Sequence, residues 1–236
     1  MKRICTICAR GGSKGVPGKN LRVIAGRPLL AWSIWQAAQT GLFDAIAVSS
    51  DSEDILRAAE AAGAQVLVRR PADMATDTAP KAPVIRHALL AAEAELGWQA
   101  DVLVDLDATS PLREPADIAG AVAQLEADGR SCVITAAPAR RSPYFNLVEL
   151  DGAGNAHLSK PLPNAVVRRQ DAPRCFDMNA SIYVWRRSAI VGDPRVFYPD
   201  TGLYEMPEER SVDIDSPLDM DIVTMLMERR HGERPA

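Results

Sequence analysis

The sequence predicts an α/β protein whose mostly parallel β-sheet carries helices on both faces. Two observations lead to this prediction. Short apolar runs alternate with segments of helical periodicity from residue 2 to residue 136, and such alternation is typical of parallel sheets. Glycines also stand where the helical segments stop, at Gly41, Gly63 and Gly129, and glycine is the usual residue just after a helix.

The elements follow one another in a regular order. Six predicted strands cover residues 2–8, 45–49, 65–69, 101–106, 131–136 and 180–185. Five predicted helices cover residues 28–39, 52–62, 82–96, 115–127 and 216–229. The last helix has Ser216 as its N-cap, Pro217 at its first position and Asp219 at its third, which is a typical helix start. Asp219 is therefore interpreted as a helix-start acid rather than as a ligand.

Length and composition restrict the class of protein. The chain has 236 residues, of which 47% are hydrophobic and 25% charged, with a net charge of −4. These values are those of a globular protein, and the acidic balance argues against a nucleic-acid partner. The apolar runs are far shorter than the roughly 20 residues that span a bilayer, and the run before Arg10 is too short for a signal peptide. We therefore expect one cytoplasmic domain over residues 1–236, without a membrane partner.

The four cysteines do not predict a metal or redox site. Cys5 and Cys8 have C-x-x-C spacing, but in a strand residues three apart point to opposite faces. No second C-x-x-C motif or nearby histidine pair would complete a zinc site. Buried free thiols are the favoured interpretation.

A glycine-rich, cationic loop follows the first strand. The segment 10–20 reads RGGSKGVPGKN and contains four glycines, three cations (Arg10, Lys14, Lys19) and Ser13. Glycines let the backbone take positive φ and approach a ligand closely. Backbone N–H groups and cations at the carboxyl end of a strand can form a binding site for a polyphosphate. The spacing fits neither a Walker A loop nor a G-x-G-x-x-G motif, and a solvated loop with incidental lysines is the alternative.

An acidic pair stands near the other end of the chain. Asp213 and Asp215 are two residues apart, so in an extended segment both carboxylates share a face. Such a pair suits Mg²⁺, which takes one or two carboxylates together with substrate phosphates and waters. The alternative is an exposed strand end leading into the helix cap. Asp105 and Asp107 repeat this spacing, and one of them could reach the same centre. No serine or cysteine nucleophile stands beside a histidine, so hydrolase triads are not supported.

The composition changes after residue 137. Residues 140–170 are rich in Pro, Asn, Arg and aromatic residues, with strand-like pieces at 145–150 and 156–158 joined by a turn at Asp151-Gly152. A structureless segment of this length is uncommon inside a domain. We therefore predict that residues 138–179 form an inserted lid or dimerisation arm, with a flexible loop as the alternative.

Taken together, the motifs resemble one family. The residues ARGGSKGVPGKN (9–20), RRPADMATDTA (69–79), ATSPLR (108–113), RRQDAPRCFDMNASIYVW (168–185) and SVDIDSPLD (211–219) resemble, in order, those of acylneuraminate cytidylyltransferases. This resemblance implies a nucleotidyltransferase-type, Rossmann-like fold and a homodimer whose inserted segment reaches the partner's site. It also implies attack by the anomeric hydroxyl of a nine-carbon 2-keto sugar acid on the α-phosphorus of CTP, with Mg²⁺-pyrophosphate leaving.

The resemblance assigns roles to individual residues. Catalysis is expected from Arg10, Lys14 and Asp213, because charge that develops on phosphoryl oxygens is stabilised by cations and Mg²⁺. Nucleotide contacts are expected from Arg10, Gly11, Ser13, Lys14, Asn20, Arg70, Thr78 and Asp107. Acceptor contacts are expected from Asp107, Arg169, Gln170, Asn179 and Tyr183. Metal ligands are expected to be Asp213 and Asp215.

Some residues depart from the pattern of the sialic acid enzymes. Asp107-Ala108 stands where Gln-Pro occurs, Asp177 where some members have Arg, and Lys81 where a small hydroxyl residue occurs. The strings SPYFNLVE (142–149), DLDATSPLR (105–113) and MNASIYVW (178–185) are more similar to the legionaminic acid branch. Legionaminic acid is therefore the favoured acceptor. Sialic, pseudaminic or Kdo acids, and a non-catalytic nucleotide-binding protein of the same fold, are the alternatives.

Overall fold

The computed structural model describes residues 1–12, 15–164 and 166–232, and its strands and helices alternate as predicted. The elements are β1 (Arg3–Cys8), β2 (Val23–Ile24), β3 (Arg27–Pro28), α1 (Leu29–Thr40), β4 (Ala45–Ser50), α2 (Glu53–Ala61), β5 (Val66–Arg69), α3 (Lys81–Leu96), β6 (Val102–Leu106), α4 (Pro115–Asp128), β7 (Cys132–Pro138), β8 (Val148–Leu150), β9 (Ala156–Leu158), β10 (Phe176–Arg186), α5 (Arg187–Gly192), β11 (Gly202–Glu205) and α6 (Pro217–His231). None of the helices in these ranges has the length and hydropathy needed to cross a membrane.

Seven strands form the central sheet in the order β11-β7-β10-β6-β1-β4-β5. Strand β10 runs antiparallel to both of its neighbours, β6 and β7, and the other neighbouring pairs are parallel. The prediction of a mostly parallel α/β sheet is confirmed. The carboxyl ends of the parallel strands therefore lie at one edge, where ligands bind in folds of this kind.

Alternate residues of the central strands enter two separate cores. In β1, Cys5 and Ile7 face a core completed by Leu30 of α1 and Ile118 of α4. Ile4 faces the other core, which contains Ile85 of α3. Because both faces are buried by helices, the strands read as continuous apolar runs.

Of the two cysteines with C-x-x-C spacing, Cys5 is buried, as predicted, and Cys8 is partly buried. Cys5 lies in one core and Cys8 packs against the other, and all four cysteines are free. Burial raises the pKa of both the Cys5 and the Cys8 thiol, so they remain neutral side chains of the interior.

Two elements near the carboxyl terminus were not predicted, and one strand is longer than predicted. Helix α5 has six residues and the edge strand β11 has four, which is too short for a periodic signal. Strand β10 begins at Phe176 rather than at residue 180, because Phe176, Asp177 and Met178 pair with the end of β7. The segment outside the sheet is thus 139–175, and it contains the predicted β8–β9 hairpin.

Candidate active site

A cavity of about 360 Å³ opens beyond the carboxyl ends of β1 and β6. Its wall is built from five segments that are far apart in the sequence: Cys8, Ala9, Arg10 and Gly12; Lys19 and Asn20; Arg70 to Val84 in part; Asp107 to Thr109; and Asp213 with Asp215. The glycine-rich loop and the acidic pair, which the sequence separates by about 200 residues, therefore face the same space.

Two glycines of the loop are required by its geometry. An added Cβ at Gly15 would lie 2.1 Å from the backbone carbonyl oxygen of Asp215, so no other residue fits this contact without movement. Gly18 has a φ of +65°, a conformation that favours glycine. An added Cβ at Gly12 would meet nothing within 4 Å, so the contacts of the described residues do not require glycine there. The close approach at Gly15 joins the loop directly to the acidic segment.

The described part of the loop is held by side chains from neighbouring segments. Arg10 forms an ion pair with Asp77 at 2.7 Å, and the N–H of Gly11 donates to Asp51 at 2.9 Å. Asn20 donates to the carbonyl oxygen of Arg10 at 3.0 Å. The Oδ1 atom of Asn20 is buried and accepts no hydrogen bond from the described residues. The predicted residues Ser13 and Lys14 lie outside the described residues.

Lys19 connects the loop to the acidic pair. Its ammonium group donates to the carbonyl oxygen of Ile214 and lies 3.8 Å from the Oδ1 atom of Asp215. The sequence marked Lys19 as one of three loop cations but did not assign it to the site. Its contact with a segment 195 residues away is visible only in the fold.

The acidic pair lies in a short extended segment before α6. Asp213 accepts a hydrogen bond from Ser110 at 3.3 Å, and the N–H of Ile214 donates to the carbonyl oxygen of Thr109 at 3.0 Å. Burial, followed by the neighbouring carboxylates of Asp107 and Asp215, raises the pKa of Asp213. The Asp215 side chain is 83% exposed. A half-buried carboxylate destabilised by like charges, beside an exposed one, is a donor set that fits a hard cation.

No group of three or more His, Cys, Asp or Glu side chains within residues 1–12, 15–164 and 166–232 is arranged to hold a metal. Two carboxylates are what Mg²⁺ ordinarily takes from a protein when substrate phosphates and waters complete its shell. Asp213 and Asp215 therefore fit the predicted metal-ligand role, which stays a prediction.

Two sets of partly buried polar contacts fix the segment that carries the acidic pair. Arg210 donates through Nε and Nη2 to both carboxylate oxygens of Asp117, at 2.9 and 2.8 Å. Asn179 donates to Ser211 at 2.9 Å and accepts from Thr135 at 2.7 Å. The segment is thereby attached both to α4 and to β10.

A second cavity, of about 400 Å³, lies on the other side of the acidic pair. Asp213 and Asp215 line both cavities. The remaining wall of the second cavity is formed by residues of β10, the end of β7 and the approach to α6, including Arg140, Asp177, Met178, Asn179, Ala180, Glu208 and Ser211. The two cavities therefore meet at the pair of carboxylates.

The backbone of β10 is distorted where it lines this second cavity. Ala180 has a φ of +51°, and the pairing of β10 with β7 shifts register between Met178 and Tyr183. Bulges of this kind re-aim side chains and are frequent beside active sites. Here the bulge turns Asn179 toward Ser211 and the acidic segment, which explains why residues 176–179 did not read as a strand.

Lys81 and Asp107 form an ion pair in the wall of the first cavity. Lys81 Nζ lies 2.6 Å from Asp107 Oδ2 and 4.3 Å from the ring centroid of Tyr183. Burial on its own would lower the pKa of Lys81 and raise that of Asp107, but their mutual attraction, the hydrogen bond between them and contacts with neighbouring groups together outweigh burial. The pKa of Lys81 is therefore raised and that of Asp107 lowered. Both groups are therefore charged at neutral pH.

Three residues that were predicted to contact the substrates differ in their burial and in their partners. Arg70 lines the first cavity but donates to the carbonyl oxygen of Ser49 at 2.8 Å. Thr78 is exposed, next to the lining residues Asp77 and Ala79. Tyr183 is only 2% exposed, and its ring stacks on Trp185 with centroids 5.4 Å apart.

Arg169 and Gln170 line a smaller depression of about 170 Å³ behind Pro138. Arg169 donates there to the carbonyl oxygen of Ala139. Asn179 lines the second cavity while bonding to its protein neighbours. The contacts of these residues, and those of Arg70, Thr78 and Tyr183, with nucleotide or acceptor stay predictions.

Fold and site together define a nucleotidyltransferase, and comparison with known proteins gives its family. Residues 4–229 match the cytidylyltransferase family, and the chain belongs to that family. It is 44% identical to the post-translational flagellin modification protein B of Campylobacter coli, over 97% of this chain and 96% of the relative. It is also 44% identical to the CMP-N,N'-diacetyllegionaminic acid synthase of Campylobacter jejuni, over 95% and 94%.

A solved structure supports the same fold. The structure of CMP:2-keto-3-deoxy-manno-octonic acid synthetase in complex with CTP covers 98% of this chain and 100% of its own, with a TM-score of 0.70 and 19% identity. The resemblance drawn from the motifs, and the nucleotidyltransferase-type fold that it implied, are confirmed.

Proposed function

We propose that this cytidylyltransferase transfers the cytidylyl group of CTP to a nine-carbon 2-keto sugar acid of the legionaminic type, with Mg²⁺. The observation that carries the proposal is that two cavities meet at Asp213 and Asp215. A nucleotidyl transfer needs two substrates brought together at one phosphorus, and a divalent cation at that junction would stabilise the charge that develops there.

The first cavity is suited to CTP. Arg10 and Lys19 provide cations, and Gly12 leaves room for phosphate oxygens. Asp77 forms an ion pair with Arg10, and we propose that the triphosphate replaces Asp77 as the partner of Arg10. Asn20 lines this cavity, and its Oδ1 atom, which accepts no hydrogen bond from the described residues, would accept one from a ribose hydroxyl. With the triphosphate and the ribose bound in this way, the α-phosphate would lie where the two cavities meet, at Asp213 and Asp215.

The second cavity is suited to the acceptor. Its wall contains Arg140, whose guanidinium pairs with Glu208 and can pair with the carboxylate of a sugar acid instead. Asp177, in the same wall, can accept from an acetamido N–H or a hydroxyl group. The anomeric hydroxyl oxygen attacks the α-phosphorus, the bond to the β-phosphate oxygen breaks, and the hydroxyl proton passes to solvent as pyrophosphate leaves.

One comparison supports a legionaminic acid as the acceptor. The chain is 44% identical to an enzyme named for N,N'-diacetyllegionaminic acid. Sialic, pseudaminic and Kdo acids are the alternatives.

The inserted segment is proposed to be a dimerisation arm. Several large apolar side chains of residues 147–167 are exposed, among them Val148 (58%), Leu150 (70%) and Val167 (82%). Clusters of this kind on one arm favour contact with a second copy of the chain. Because CTP is an intracellular metabolite, we also propose that the enzyme acts in the cytoplasm.

An acceptor screen tests the proposed function. The protein is incubated with CTP, Mg²⁺ and, separately, legionaminic, sialic, pseudaminic and Kdo acids, and pyrophosphate release is measured. The largest kcat/KM is expected with legionaminic acid. Release with none of the four acids would refute the proposal, and a larger kcat/KM with another acid would reassign the acceptor.

The metal assignment has its own test. Asp215→Asn removes a proposed ligand from an exposed position, so the thermal midpoint should change little while the Mg²⁺ concentration for half-maximal rate rises at least tenfold. Asp221→Asn, an exposed acid of α6, is the control. Unchanged Mg²⁺ dependence in Asp215→Asn would show that the pair is a helix-start feature.

A further inference from the structure

The guanidinium group of Arg113 is buried and is bonded to neutral acceptors. The residue is 2% exposed, and the hydrogen bonds that it donates within the described part of the chain go to carbonyl and hydroxyl oxygens. Burial lowers the pKa of Arg113 to about 10, so the group is still a cation at neutral pH. Burying a charge outside an ion pair is costly, and packing alone does not explain why a charged residue stands here.

Arg113 fastens the end of β6 to two other elements. Its Nη1 and Nη2 atoms both donate to the carbonyl oxygen of Asp107, at 2.8 Å each. Nη1 also donates to the carbonyl oxygen of Ser181 in β10 at 3.1 Å, and Nη2 donates to the hydroxyl oxygen of Ser33 in α1. A planar fork of donors is needed to reach three elements at once. The turn of residues 107–113 is therefore closed by the side chain at its own end.

The same turn holds the acidic segment. Ser110, which is fully buried, donates through its hydroxyl group to Asp213 Oδ1 at 3.3 Å. The N–H of Ile214 donates to the carbonyl oxygen of Thr109 at 3.0 Å. Among the described residues that line the two cavities, Thr109 and Asp213 occur and Arg113 does not. Arg113 is therefore connected to the carboxylate of Asp213 through the turn and does not itself face a substrate.

We infer that Arg113 is a positioning residue, which orients Asp213 for the metal ion by fixing the turn of residues 107–113. The inference rests on the proposed metal-ligand role of Asp213. Substitution of a group that orients a metal ligand typically lowers the affinity for the metal by about 10- to 100-fold. The positive charge of Arg113 also attracts Asp213 and the neighbouring carboxylate of Asp107, and so reduces the repulsion between them before a cation binds.

Nucleotide binding with and without the metal tests this inference, and it needs no acceptor. Calorimetric titrations give the CTP affinity in Mg²⁺ and in EDTA for the wild type, Arg113→Lys, Ser110→Ala and the double variant. Lysine keeps the charge but lacks the fork of donors. The ratio of the two affinities is therefore expected to fall about tenfold in Arg113→Lys, while the affinity in EDTA stays within about threefold. Ser110→Ala should lower the ratio likewise, and the double variant little further, because both substitutions act on Asp213 through one turn.

Arg187→Lys is the matched control for the loss of a partly buried arginine. Arg187 donates to both carboxylate oxygens of Glu93, at 2.7 and 2.9 Å, and is not among the described residues that line the two cavities. This variant should lose stability but keep the ratio. A ratio that is unchanged in Arg113→Lys, or that falls as far in Arg187→Lys, would show that Arg113 serves only the fold.

The remaining outcomes are also decisive. If the effects of Arg113→Lys and Ser110→Ala multiply as independent factors, Arg113 does not act through the turn and the inference is wrong. If Arg113→Lys does not fold, Ser33→Ala, which removes a partner of Arg113 in α1, takes its place. An unchanged ratio in Ser33→Ala would then refute the inference. A wild type that binds CTP equally in Mg²⁺ and in EDTA would refute the proposed metal role itself, whereas a negative acceptor screen would refute only the proposed acceptors.

Discussion

The substitution Gly15→Ala tests how the loop and the acidic segment fit together. The new Cβ would lie 2.1 Å from the carbonyl oxygen of Asp215, and real Cβ contacts do not fall below 3.0 Å. One backbone must therefore move by at least the difference, 0.9 Å. Overpacking of this kind costs about 1–3 kcal/mol of stability, and a misplacement of about 1 Å in an active site costs roughly 100-fold in rate.

The assay measures stability and catalysis separately. Urea unfolding gives the change in the free energy of unfolding, and pyrophosphate release gives kcat and KM. We expect a modest loss of stability and a fall of about 100-fold in kcat/KM, because the displaced carbonyl oxygen is adjacent to the proposed metal ligands. Gly192→Ala is the matched control, since its added Cβ meets nothing within 4 Å.

Two results would contradict this reasoning. Turnover of Gly15→Ala within threefold of the wild type would mean that the loop and Asp215 are not in contact in the working enzyme. A global loss of folding equal to the loss of activity would mean that the contact is structural and has no specific effect on the reaction. The two measurements together separate these cases.

Two further substitutions test the surroundings of the site. Arg210→Gln leaves the carboxylate of Asp117, which is 2% exposed, without its bidentate partner. We expect the free energy of unfolding in urea to fall by about 2 kcal/mol, which is less than the roughly 3–5 kcal/mol of fully buried pairs because Arg210 is partly hydrated. As the control, Arg57→Gln in an exposed pair should lower it by less than about 1 kcal/mol. Asp105→Asn tests a carboxyl whose pKa burial raises to about 6 from 3.8. In the wild type, Asp105 ionises at a lower pH in the unfolded chain than in the folded one. The free energy of unfolding therefore falls as pH rises from about 4 to about 6. The variant should gain roughly 2 kcal/mol on the wild type between pH 4.5 and pH 8, and a constant difference over that range would contradict the assignment.

The sheet could be predicted from sequence because its strands are buried on both faces. Continuous apolar runs such as that of β1 and glycines such as Gly41 and Gly129, all with positive φ at helix ends, mark the elements locally. The parts of the sheet that were not predicted depend on partners that are distant in the sequence. Phe176 to Met178 are strand residues only because the end of β7 pairs with them, and their own composition is that of a loop.

The same distinction holds for the site. Residue types and spacing sufficed to single out the glycine-rich loop and the carboxylate pair, which line one cavity, because both signals lie within a few consecutive residues. Partners that come from different elements could not be predicted. Lys81 meets Asp107 across 26 residues, and Arg210 meets Asp117 across 93. Such contacts follow from the crossovers of the chain, which no local pattern encodes.

The acidic segment is held from three directions, and this arrangement has a consequence for catalysis. Lys19 contacts it from the loop, Thr109 from the end of β6, and Asn179 from β10 through Ser211. Each contact comes from a different part of the two cavities: Lys19 and Thr109 line the first, and Asn179 lines the second. A substrate that shifts either wall therefore shifts the carboxylates that both substrates are proposed to share. Each substrate should bind more tightly when the other is present, because the first to bind orders the segment that the second also needs.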